Sequence, residues 1–233
     1  MNYYSVESTR VRRGQQGGPP LLLVGALTLG FFVVGILVAA AFGGVPPNPL
    51  GDPATVIGYY RQHAASVQAG AICLFAASVP LLIYASTASA RLRQLGITAP
   101  GATIALASGV LASAMLSLSA LFGWALSRPT VTSDDALIHA LSTLSFLTGG
   151  VAHVVPLGLL VAGISVPALI VKLLPRPVAW AGLIIAVIAE LSTLSLVVPA
   201  LAILLPIARF PALIWLVVAG ALLPTQRQKA TAS

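Results

Sequence analysis

The sequence predicts an all-α polytopic transmembrane bundle of about six spans with both termini in the cytoplasm, and three observations carry that reading. Of 233 residues, 58% are hydrophobic and only 7% charged, with a mean hydropathy of +1.00, whereas soluble domains carry about 25% charged residues. Such a length is taken up by bilayer crossings of about 20 residues each and leaves no soluble domain. The charges also sit at the ends of long uncharged stretches: 14–51, 62–90, 94–127, 136–171, 177–208 interrupted by Glu190, and 210–226. Finally, the basic residues alternate in side. A cytoplasmic N-terminus puts Arg10, Arg12, Arg13, Arg91, Arg93, Lys172, Arg176, Arg227 and Lys229 inside and only Arg61, Arg128 and Arg209 outside. Nine against three follows the positive-inside rule. Asp52, Asp134 and Asp135 then face outward. The net charge of +7 is therefore a topology signal and not a nucleic-acid patch. The expected partners are the lipid bilayer and either another membrane protein or a second copy, with no nucleic acid.

The chain divides into a cytoplasmic tail, 1–19, one transmembrane domain, 20–224, and a second cytoplasmic tail, 225–233. The first crossing is placed near 20–43. Its apolar run is about twice the 7 to 15 residues of a signal h-region, so it reads as a retained span despite the Ala39-Ala40-Ala41 that resembles a cleavage site. Gly25, Gly30 and Gly35 recur every five residues and spiral around it. Between Val45 and Pro53 the proline-rich sequence cannot continue a helix and reads as a rigid, extended outer turn. Asp52 before Pro53 is placed to cap a short interfacial helix, Ala54 to His63, which carries Tyr59, Tyr60 and Arg61 to the headgroups.

The second crossing, near 65–88, contains Pro80 and the lone Cys73, a small apolar filler by its surroundings. The third, near 101–126, carries Gly109, Ser113 and Ser117 at a spacing that favours close helix approach. Amphipathic rings gather at headgroup level. Tyr59, Tyr60 and Trp124 are assigned to the outer belt, Tyr84 and Trp180 to the inner one.

The fourth block, 136–171, would measure about 54 Å as one helix against a hydrocarbon core of about 30 Å. It must tilt or break, and Gly149, Gly150 and Pro156 mark the weak point. A short outer helix from Asp135 to Thr148 would then precede a span starting near Val151. If it is continuous, His139, Thr143, Phe146, Gly150, His153 and Leu157 share one stripe.

The fifth crossing, 177–198, contains Glu190, about 21 Å along the helix from Arg176 and so in the outer half of the membrane. Eleven Leu, Ile or Val residues between Val178 and Val198 contribute roughly −0.3 to −0.6 kcal/mol each, against about +3 for one central acid. Insertion therefore survives the charge. Three fates are open to it: protonation with donation to a neighbouring helix, an ion pair with Arg209 at the start of the sixth crossing (205–224), or a proton-handling pair with His153 or His139. Thr193 lies one turn further along on the same side.

No His-Glu-x-x-His, Cys-x-x-Cys, Walker or Gly-x-Ser-x-Gly motif is present, and two histidines 14 residues apart make no metal site. Neither an enzymatic activity nor a cofactor is expected. The expectation is a small structural or accessory helix bundle. Its alternative is a proton-linked transporter or permease-like protein with Glu190, His153, His139 and Thr193 as the proton or polar site.

The stretch from Leu141 to Pro224 contains Phe146-Leu147-Thr148-Gly149-Gly150, Val155-Pro156-Leu157-Gly158-Leu159, Ala189-Glu190-Leu191-Ser192 and Arg209-Phe210-Pro211. In these it resembles uncharacterised polytopic membrane proteins of high-GC bacteria. The resemblance covers about a third of the chain, implies a multi-pass protein of a bacterial plasma membrane, and assigns no residue a role.

Overall fold

The computed structural model describes residues 18–224; the two tails fall outside them except for Gly18 and Pro19. Inside a bilayer the backbone has no water to bond, so a chain this apolar must satisfy its own N–H and C=O groups within helices. Six helical stretches are long and apolar enough to cross a membrane, and the protein is a multi-pass membrane protein.

The elements are α1 (Leu21–Phe42), α2 (Pro53–Gln62), α3 (Ala64–Gln94), α4 (Gly101–Ala125), α5 (Pro129–Thr132), α6 (Asp135–Gly149), α7 (Val151–Ile170), α8 (Arg176–Leu191) and α9 (Leu204–Leu222). Two 3₁₀ turns, Ser192–Leu196 and Pro199–Ile203, join α8 to α9. Among the described residues there is no strand.

The spanning helices form a closed ring in chain order: α1 packs on α3, α3 on α4, α4 on α7, α7 on α8, α8 on α9, and α9 returns to α1. The ring encloses a core that includes Leu81, Tyr84, Leu116, Leu157, Leu160 and Leu216. Small residues set the spacing. A Cβ added at Gly109 would lie 2.2 Å from the Ala85 Cβ, and one at Gly163 2.7 Å from the Ala105 backbone N, so α4 meets α3 and α7 nearly backbone to backbone. Ser113 secures the first contact by donating to the Ser78 carbonyl at 2.7 Å. Ser117, expected on the same face, turns back to its own helix at Ala114.

One end of the ring, termed the loop face, carries the proline-rich turn, α2 and α5. There Asp52 caps α2 by accepting from the Thr55 N–H at 2.9 Å, with Pro53 opening the helix. The turn before it is closed by Asn48, whose carbonyl and side chain accept from Gly51 and Leu50. Arg61 ties α2 across the ring, pairing with Asp135 at 2.5 Å and donating to the Thr132 carbonyl at 3.0 Å.

Two aromatic assignments are corrected. Tyr84 is 1% exposed and donates to the Leu216 carbonyl at 2.7 Å, so it pins α3 to α9 and does not sit in an interfacial belt. Tyr60 is buried in a loop-face cluster with Val56, Val67, Leu126 and Ile138, and that burial pushes its phenol up to about 12. Trp124 and Trp180 are exposed as a belt requires, Trp124 beneath the Arg128 guanidinium at 4.2 Å.

The fourth block breaks. Gly150 has φ −83° and ψ −110°, outside the helical range, and separates α6 from α7. Pro156 lies in the first turns of α7, where a missing N–H loosens the ladder. The fifth crossing departs further from expectation: its α-helix stops at Leu191 and continues as a 3₁₀ turn.

Candidate functional site

The break at Gly150 frees a backbone group. The Gly150 N–H bonds the Phe146 carbonyl at 2.7 Å, and the His153 N–H turns to Gly150 at 3.2 Å, which leaves the Gly149 carbonyl at the C-terminus of α6 without a helical partner. Arg209, in the second turn of α9, donates to it through Nη2. A cation on the last carbonyls of a helix is favoured by the helix dipole. The guanidinium also lies over the Phe32 ring of α1, 5.4 Å from its centroid.

These contacts do not exhaust Arg209. Its Nε is buried without a hydrogen-bond partner. No carboxylate neutralises it, since the ion pair between Arg61 and Asp135 is the only one among the described residues. Two cavities reach it instead. One, about 340 Å³, lies between α1, α3 and α9 and is lined by Phe32, Ile36, Ala39, Ala40, Leu74 and Phe210 among others. The second, about 220 Å³, lies between α6 and α9 against Ser145, Phe146, Gly149, Ala202 and Pro206. Both share lining residues with a vestibule of about 820 Å³ beneath the proline-rich turn, Val45 and Pro46 for the first, Ser145 and Ala202 for the second.

His153 follows one turn beyond Gly149. It is 0% exposed, and its Nδ1 lies 2.8 Å from the Ala112 carbonyl of α4. A carbonyl only accepts, so Nδ1 carries the proton and Nε2 presents a lone pair, which meets no donor. His139 is exposed on α6, its carbonyl accepting from Ser142 at 3.0 Å and Thr143 at 2.9 Å. The break thus divides the stripe expected along a continuous helix, one histidine outward and one buried.

Glu190 lies elsewhere. It is exposed in the last turn of α8, on the face that also exposes Ala181, Ile184, Val187 and Leu191, while Ala186 and Ala189 point into the ring. Thr193, one turn on, is exposed too. No hydrogen bond or ion pair joins Glu190 to Arg209, His153, His139 or Thr193. The structure therefore brings Arg209 and His153 to the same helix break and sets Glu190 apart on the exposed outer face of α8.

Sequence reasoning missed Phe32, the Gly149 carbonyl and the Ser119–Ser145 pair, whose hydroxyls bond each other's carbonyls at 2.7 and 3.1 Å and hold α4 to α6. The available signal was the Gly149-Gly150 doublet, because a broken helix needs a donor for its free carbonyl. Among the described residues no three His, Cys, Asp or Glu side chains come together where a metal ion could be held. Compared with known proteins, the chain matches no family model, no curated protein and no solved structure.

Proposed function

We propose that this multi-pass protein is an accessory component of a membrane assembly, docking through α8 onto a transmembrane helix of another protein that presents a cation or hydrogen-bond donor to Glu190. The observation that carries the reading is the placement of that carboxyl. It stands on an otherwise apolar surface with Ile184 58% and Val187 57% exposed, and among the described residues no group bonds it. A lone acid facing lipid opposes insertion, by up to about 2.5–3.5 kcal/mol at the bilayer centre and less toward the outer edge, and a donor on a partner helix offsets that cost.

Charge complementarity favours a different protein over a second copy. Every other described cation of the spanning helices lies near a helix end or, for Arg209, is turned onto Gly149, so what a second copy offers beside Glu190 on α8 is the exposed Thr193 hydroxyl, a weaker partner for a carboxylate than a cation. The proton-transport alternative rests on Glu190 meeting a histidine, and the geometry offers it no such contact.

A photo-crosslinking residue at Val187, one turn from Glu190, tests this in native membranes, with Val110 on the exposed face of α4 as control. The expected result is a crosslink from position 187 to a transmembrane segment carrying Arg, Lys, Asn or Gln, weakened by Glu190→Gln and lost in Glu190→Leu. Crosslinks to a second copy alone, or a yield unaffected by Glu190→Leu, would overturn it.

A further inference from the structure

The cleft between α1, α3 and α9 is independent of the α8 face. We infer that it binds an amphipathic anion, a carboxylate or phosphate group on an apolar tail, with Arg209 holding the anionic group.

Four observations converge. Arg209 is a cation inside the bundle with a buried Nε that bonds nothing, although a guanidinium offers five N–H donors. The chain's own described acids are all engaged or remote: Asp52 and Asp134 cap α2 and α6, Asp135 pairs with Arg61, and Glu190 faces lipid from α8. The neutralising charge must therefore come from outside these residues. Third, space is provided on both sides of the guanidinium, a cleft of about 340 Å³ on the Phe32 side and one of about 220 Å³ on the Ser145 side. The larger falls in the range of small-molecule pockets.

Fourth, the two sides differ in chemistry. The larger cleft is lined by Phe32, Ile36, Ala39, Ala40, Leu74 and Phe210, of which Ile36, Ala40 and Phe210 are exposed at its edge, so it opens toward the lipid and suits an alkyl tail. The other side, with Ser145 and the Gly149 carbonyl, leads to the vestibule under the proline-rich turn. An anion reaching Arg209 from either side would meet a charge-assisted donor in a poorly hydrated place, where such bonds are strong. The bond to Gly149 uses Nη2, and Nη1, which is not among the occluded nitrogens and bonds no described residue, is left for the ligand.

The test is equilibrium binding to the purified full chain in neutral maltoside detergent. The probes are decanoate and dioctanoyl phosphatidate, with decanol as the uncharged tail and inorganic phosphate as the tail-less anion. Saturable binding of either amphipathic anion is expected, with decanol and inorganic phosphate weaker by about ten-fold or more. Binding of phosphatidate alone supports the site with a lipid headgroup as ligand; binding of decanoate alone supports it with a fatty-acid-like ligand. Arg209→Gln is expected to lower affinity about ten-fold, with Arg209→Lys retaining part of it.

Arg209→Gln also removes the donor at Gly149, and a folding defect there would obscure the result. Ala40→Phe keeps the proposal falsifiable, because it fills the cleft from the lipid edge without touching Arg209. It is expected to reduce binding at unchanged thermal stability. Equal binding of decanol, no saturable binding of either anion, or unchanged affinity in Ala40→Phe would overturn the inference.

Discussion

Asp52 shows how much one short side chain can organise. Its carboxylate accepts from both the N–H and the hydroxyl of Thr55, at 2.9 and 2.6 Å. The hydroxyl bond is the main reason that its pKa lies below the ordinary 3.8. A depressed carboxylate contributes stability that is fully present above its unfolded value and lost as pH falls through its folded one. The protection of the Thr55 and Val56 amides, expressed relative to the intrinsic exchange rate at each pH, should therefore hold steady down to about pH 4 and fall below it. Asp52→Ala should show the reduced protection at every pH, and protection in the native chain that stays constant through acid would refute the cap. Tyr84 acts over a longer distance. Tyr84→Phe deletes the bond to the Leu216 carbonyl and should cost roughly 0.5–1.5 kcal/mol, read as a lower unfolding midpoint in detergent. Its sequence position, seven residues before Arg91, gave no sign of this, because nearness to a span end does not say which way the ring turns.

Helix elements in this fold are spaced by what is missing from them. A methyl at Gly163 would stand 2.7 Å from the Ala105 backbone, which cannot yield as a side-chain tip can, whereas one at Gly30 meets nothing within 4 Å. Gly163→Ala should destabilise by roughly 1–3 kcal/mol, and Gly30→Ala should be neutral or stabilising by up to about 1 kcal/mol. Thermal unfolding of the two variants side by side checks the sign as well as the size, and equal effects would exclude a close α4–α7 contact. The same pair shows a limit of sequence reading: both glycines lie in apolar runs, and no local pattern separates the packed one from the open one. Glu190 illustrates it again. In a soluble helix the alternation of polar and apolar residues reveals the inner face, but here lipid and core are equally apolar, so which way Glu190 points was not encoded in the periodicity of α8.

At the scale of the whole molecule, span number and position were legible because charges are costly at bilayer depth and mark where helices end. The first, third and sixth crossings fall within two residues of their expected bounds. The cap on α2 was legible too, from proline chemistry, and so was the weak point of the fourth block, from its glycines, although its length allowed a tilted continuous helix as well as a broken one. Arg209 was less so, since the reversal between α8 and α9 consists of uncharged 3₁₀ turns and offers no boundary to count from. Orientation itself is open to measurement. With Cys73 replaced by Ser, a cysteine at Asn48 should react with an impermeant maleimide on intact cells, and one at Gln94 only after permeabilisation; the reverse pattern would invert the assignment. The three tryptophans add a built-in gauge of depth and fit. Trp124 and Trp180 are 44% and 56% exposed toward opposite ends, whereas Trp215 is 4% exposed with its indole N–H on the Val178 carbonyl. Brominated lipids should therefore quench two of the three emissions and spare the third, so the unquenched remainder reports on its own whether α8 and α9 are seated.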